Sequence, residues 1–249
     1  MGAKLASMCC FSGPVESVSN TAIFARSGQQ GRQFLVYQMT VKAVVPLAMI
    51  LPLPVADNAG ETAVDFIDLS AVPEFFARLN KMFLTRSSRA MSPSPLRVVE
   101  VGSYVASYVP TLADFDRLDG HFRLSQQVWD QLPQYQNYGF AVFQLKEGEH
   151  KVHPMAFDFP RRNPDQLFFP TVHIHDGRVH TEAEFDHALF CQRSSQERLS
   201  HWMESPGVAE LAFRESERQT VGQIVSHDRP VYKLELRGLL PNQDTVVSI

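Results

Sequence analysis

Residues 22–42 read Ala22-Ile23-Phe24-Ala25-Arg26-Ser27-Gly28-Gln29-Gln30-Gly31-Arg32-Gln33-Phe34-Leu35-Val36-Tyr37-Gln38-Met39-Thr40-Val41-Lys42. Two β-prone runs, Ala22–Arg26 and Gln33–Lys42, flank a short polar stretch with two glycines, the pattern of a hairpin with a loop. In the second run Leu35, Tyr37, Met39 and Val41 share one face, while Phe34 and Val36 lie on the other. A strand that is apolar on both faces belongs inside a layered protein, covered on both sides.

Working outward, Met49–Val55 is a short extended run whose prolines, Pro52 and Pro54, place it at a sheet edge or exit. The clearest helix follows. Ser70 is its expected cap, Pro73 is tolerated in the first turn, and Phe75, Phe76, Leu79, Met82 and Phe83 form a core-facing stripe. Thr85–Pro95 is rich in serine and proline and reads as a flexible surface loop. Strands are expected at Leu96–Val101, Ser103–Val109, Tyr138–Leu145, Lys151–Phe159, Leu167–His175 and Val231–Leu236. Short helices are expected after Thr111 and Ser125, and around Glu197–Met203, where Ser194 and Glu197 fit a capping box. Strands do not alternate regularly with helices, and no glycine-rich phosphate loop occurs. The expected class is therefore α+β: one strand-rich domain over residues 1–249, with a mostly antiparallel sheet and a few short helices.

Composition narrows the function. Hydrophobic residues make up 44% and charged residues 20% of the 249, as in an ordinary globular chain. The 23 basic and 27 acidic residues leave a formal charge of −4, which gives no electrostatic reason to expect nucleic acid. The longest apolar stretch, Ala43–Val55, is short for a bilayer and broken by prolines, so no membrane span is expected. Leu5-Ala6-Ser7-Met8-Cys9 has the outline of a lipoprotein cleavage site without the apolar segment that precedes one. The cysteines are Cys9, Cys10 and Cys191; an odd number with two adjacent indicates no disulfide framework. That usage favours a reducing compartment, and the expected location is the cytoplasm.

The chemistry-bearing stretch is Phe169-Pro170-Thr171-Val172-His173-Ile174-His175-Asp176-Gly177-Arg178-Val179-His180. Asp-Gly between β-prone runs signals a two-residue hairpin turn. That register sets His175 opposite Arg178 and His173 opposite His180, so all four project from one face. Opposed Cβ atoms lie about 5 Å apart, which brings three imidazoles within reach of one ion. His173, His175 and His180 would thus hold a divalent transition metal, zinc or copper foremost, with His187 and Cys191 as further ligands. Arg178 would hold an anionic substrate or stabilise an oxyanion. A solvated polar hairpin face explains the same residues without any ligand. For His187 and Cys191 two local structures remain open: a helix begun by Thr181 and Glu184, or a strand over Phe185–Gln192.

The leading expectation is a metal-binding protein, as a metal-dependent hydrolase or oxidase acting on a small molecule or peptide. A second is an amidohydrolase with Cys9 or Cys10 as nucleophile, which would need processing to free the cysteine's α-amino group. A third is a non-catalytic interaction module.

Cys10-Phe11, Pro14-Val15, Ile23-Phe24-Ala25 and Leu51-Pro52-Leu53-Pro54 resemble the opening of a bacterial and archaeal family of uncharacterised proteins. In that family, cysteine beside phenylalanine precedes a strand pair and an extended Leu-Pro-x-Pro segment. The resemblance covers about the first 55 residues. The family's signal peptide is missing here, and Met49-Ile50 stands where its tryptophan would be. The resemblance implies no activity, but it draws attention to Cys9 and Cys10.

Overall fold

The computed structural model describes residues 10–84, 104–174, 177–193 and 198–249. The Thr85–Pro95 segment, the strand expected at Leu96–Val101 and the Ser194 cap lie outside these residues, so the three expectations stand as sequence readings. The hairpin at residues 22–42 forms as β2 (Ser17–Ser27) and β3 (Arg32–Ala43), with Ser27 opposite Gln33 and Arg26 opposite Phe34. A single 3-10 turn joins them, in which Gln30 and Gly31 take φ of 52° and 74°.

This hairpin sits inside the larger of two sheets. Its order is β12 (Met203–Val208), β13 (Pro230–Pro241), β11 (Glu182–Gln192), β2, β3, β9 (Met155–Pro160) and β5 (Asp65–Ile67), with β8 (Gly148–Lys151) also paired to β3. All of its pairs are antiparallel except β11 with β2. The smaller sheet runs β1 (Cys10–Phe11), β4 (Leu47–Leu53), β7 (Gly139–Leu145) and β6 (Tyr104–Val109), all antiparallel. A ribbon of β10 (Gln166–Phe169) and β14 (Thr245–Ser248) completes the strands. It is tied to β3 by Gln33, whose buried amide both donates to the Phe168 carbonyl and accepts from the Phe168 N–H.

Apolar alternation decides the layers. Leu35, Tyr37, Met39 and Val41 meet Met49, Leu51 and Phe143 of the smaller sheet in a core between the two sheets. The other face of β2 and β3, with Phe24 and Val36, packs on α1 (Phe75–Lys81) and α3 (Glu215–Val221). The outer face of the smaller sheet, with Ile50, Phe140 and Val142, packs on Phe115 and on Trp129 of α2 (Gln126–Trp129). The two-sided burial expected of residues 33–42 is what the layers impose.

Strand accounts for 45% of the described residues and helix for 17%, so the protein is strand-rich and mostly antiparallel, and the label α+β describes it only loosely. Thr111 and Ser125 precede helical turns as expected, and Phe75, Phe76 and Leu79 are buried. Ser70, in contrast, does not cap α1. Glu74 precedes the first helical residue, and the Ser70 N–H is taken by Asp68. Pro52 lies inside β4 rather than past its end. The two-residue β1 pairs only with Met49 and Ile50, so the proline sits where β4 has a single partner and its missing N–H costs no ladder bond. Met203 begins a strand instead of ending a helix, since its segment pairs with β13. No helix among the described residues is long and apolar enough to cross a membrane.

Candidate functional site

The segment Thr171–His180 does not form the expected hairpin: among the described residues no ladder joins its two arms, and Thr171, Val172, His173 and Ile174 are all buried in succession. The reason is that the loop after β13 takes the backbone groups a ladder would use. Asn242 Oδ1 accepts from the His173 N–H, and its Nδ2 donates to the carbonyls of His173 and His180. Asp244 Oδ1 accepts from the N–H groups of Thr171 and Val172. Asp244 Oδ2 accepts from the Tyr135 hydroxyl at 2.7 Å. The Ile174 carbonyl accepts from the Phe11 N–H. The arms still return to one another, but through an asparagine side chain, so residue alternation no longer sets which side chains share a face. Gly177 adopts φ of 71°, as a reversal requires, while His175 and Asp176 lie outside the described residues.

Of the expected metal ligands, His175 lies outside the described residues, and the others differ in burial. His173 points inward, whereas Arg178 and His180 are exposed. What His173 meets instead is β11, which resolves the open choice at residues 185–192 in favour of a strand. His187, opposite Thr21 of β2 and Leu236 of β13, is fully buried, and its ring stacks on that of His173 with centroids 5.2 Å apart. Phe185 closes the stack, 4.2 Å from His173 and 5.1 Å from His187. Cys191 lies four residues along the same face of β11, in the core between the sheets. Among the described residues no group of three His, Cys, Asp or Glu converges to hold a metal.

The two described cysteines are sealed. Cys10 is 1% exposed and its Sγ lies 3.8 Å from the Val172 carbonyl. Burial pushes the Cys191 thiol far above its ordinary value, so it is not a thiolate at neutral pH. Cys9 lies outside the described residues. A cleft of about 470 Å³ lies beside Trp202, Glu204 and Tyr232, and none of the residues expected from sequence lines it.

No protein-family model matches the chain, and no curated protein matches it in sequence. Solved structures match it in fold. Baculovirus P35 is 11% identical with a TM-score of 0.52, over 93% of this chain and 96% of that one. A mutated baculovirus P35 after caspase cleavage is 12% identical with a TM-score of 0.50, over 92% of this chain and 99% of that one. At such identity the likeness establishes a shared fold.

The residues that organise this region, Tyr135, Asn242 and Asp244, were not singled out by sequence. A trace of them exists: Asn242-Gln243-Asp244 follows a long strand, and short Asx side chains there readily bond to backbone.

The stacked pair carries a pH dependence. Burial, and then the neighbouring His173, hold the His187 imidazole well below its ordinary value. The folded state thus prefers neutral His187, so its contribution to stability is full above about pH 6.5 and is lost as pH falls below that. Among groups packed against His187, Thr21, Phe185 and Leu236 carry no titratable charge, and His173 is the ionisable neighbour. Denaturant melts between pH 7.5 and 5 should show this loss in the native chain and a smaller one in His187→Leu. Parallel pH profiles for the two would assign the acid sensitivity to other groups.

Proposed function

We propose that this chain works by engaging another protein, and that the partner is a protease of the caspase kind. One observation carries the reading: the fold is shared, over nearly the full length of both chains, with baculovirus P35, a protein also solved after cleavage by a caspase. Burial supports it from the other side. Of the residues expected from sequence to carry chemistry, Cys10, Cys191, His173 and His187 are packed in the interior. A protein-binding role requires none of them to be open. Among the described residues the expected ligands leave the His173–His187 pair in contact, and two stacked imidazoles fall short of the three or four protein ligands that zinc takes.

The test is to incubate the full chain with a panel of purified caspases, with papain as a control cysteine protease. Intact-mass analysis and size exclusion then follow the products. The expected result is a single cut, or a co-eluting complex, with at least one caspase and not with papain. Indiscriminate fragmentation by all the proteases, or no cut and no complex with any of them at excess, would overturn the proposal.

A further inference from the structure

The open strand edges among the described residues differ in how they discourage pairing. β12 carries Pro206 and Gly207 with a register shift between Glu204 and Val208. β5 is three residues long and begins with Asp65. Beyond its contact with β12, β13 presents Glu235 and Arg237, and then Gly238 at φ of 81°. These are the means by which soluble proteins keep edges from acquiring partners.

β6 has none of them. Its six residues, Tyr104-Val105-Ala106-Ser107-Tyr108-Val109, contain no charge, proline or glycine and keep regular register with β7 throughout. It ends the smaller sheet, and Val105 is 63% exposed. Such an edge is a template for one more strand. Tyr104, Ala106 and Tyr108 face the core between the sheets and are only partly buried. Tyr104 stands edge-on to Phe143 with centroids 5.3 Å apart, and Phe66 of β5, the last strand of the other sheet, stands edge-on to the same ring at 5.8 Å. Phe143 thus lies buried beneath Tyr104 and Phe66, which come from the terminal strands of the two sheets.

Charge says what fits there. Residues 57–74 contain five acids, Asp57, Glu61, Asp65, Asp68 and Glu74, and no lysine or arginine. Four pair with Arg162, Arg117, Arg32 and Lys151 respectively. Asp68 accepts from Ser70 and pairs with no lysine or arginine among the described residues, and its charge is felt at both Tyr104 and His153, which stack on each other at 4.4 Å. We propose that the outer edge of β6, unpaired among the described residues, accepts an extended strand from a partner protein, one with alternating apolar residues set onto Tyr104, Phe66 and Tyr108 and a lysine or arginine that reaches Asp68. A second copy of this chain fits less well, because β6 is uncharged and offers no cation to Asp68. The inference does not depend on the protease reading.

The probe is a fluorescein-labelled peptide, acetyl-Lys-Val-Thr-Val-Thr-Val-Lys-amide, with lysine at each end so that either strand direction sets one beside Asp68. Fluorescence anisotropy with the full chain should show saturable binding, weaker by about fivefold for the same peptide ending in glutamates. N-methylation of alternate amides along one edge should weaken binding at least about tenfold, and along the other edge by less than about twofold, because only one edge faces β6. Asp68→Asn, which keeps the bond to Ser70, should lose about two- to fivefold for the lysine peptide and abolish the preference over glutamate, with an unchanged melting temperature. No saturable binding up to about 1 mM would overturn the proposal. Equal effects of the two methylated series would overturn it as well, as would a dimer in sedimentation that Val105→Lys dissociates.

Discussion

Phe75→Ala is expected to lower the unfolding free energy by about 3–5 kcal/mol. Phe75 is fully buried, and its ring meets Phe24 of β2 at 5.7 Å, Phe76 at 5.1 Å and Phe213, just before α3, at 5.5 Å. Removing it opens a cavity where the larger sheet and both of its covering helices meet. α1 has seven residues and little stability of its own, so it depends on this contact. Urea denaturation measures the loss directly, and Phe66→Ala is the control. Phe66 is 39% exposed, and its truncation should cost clearly less. Equal losses at the two positions would mean that the helix layer is not a buried face.

The second large effect belongs to Asp244. Its alanine variant leaves the N–H groups of Thr171 and Val172 and the Tyr135 hydroxyl without their acceptor, at about 1–3 kcal/mol for each buried donor. The expected total is about 3–6 kcal/mol. Asp244→Asn behaves differently, because the amide oxygen keeps both backbone donors and its nitrogen can donate to the Tyr135 oxygen. Burial pushes the Asp244 carboxyl up to about 6 from an ordinary 3.8, against the pull of the three donors. A carboxyl raised in the folded state favours the protonated form there, so its contribution falls as pH rises from about 4 to 6 and is flat above. Stability profiles of the native chain and Asp244→Asn should therefore separate in favour of asparagine with rising pH, by up to about 3 kcal/mol. A constant gap from pH 4 to 8 would show that Asp244 does not titrate in that window.

What could be read in advance followed from local pattern. Residues 33–42 announced two-sided burial because alternate side chains must enter opposite faces, and Phe75, Phe76 and Leu79 announced a helix because their spacing matches one turn. The hairpin at Asp176-Gly177 rested on equally local grounds, and among the described residues no ladder joins its arms. Its backbone groups are captured by Asn242 and Asp244, about seventy residues away in sequence, and no periodicity within residues 169–180 could reveal that competition. With the same capture, His173 is buried and His180 exposed. His187 and Cys191 could be placed on one face by spacing, but that the face is a sealed interior depends on the second sheet closing over it. Pro52 misled for a similar reason. A proline reads as an edge, and here the edge is a short gap beside a two-residue strand.

The single parallel pair in the larger sheet bears on how the chain is made. β2 is translated early, and one of its two neighbours, β3, follows at once. The other is β11: the Asn20 N–H is met by Asp186, 166 residues later. On a ribosome adding about 5–20 residues per second, the first hairpin emerges and then waits roughly ten to thirty seconds for that neighbour. Throughout the wait the flank of Ile23, Phe24 and Ala25 has no strand beside it, and the nascent chain carries an unfinished sheet that only its last third can close.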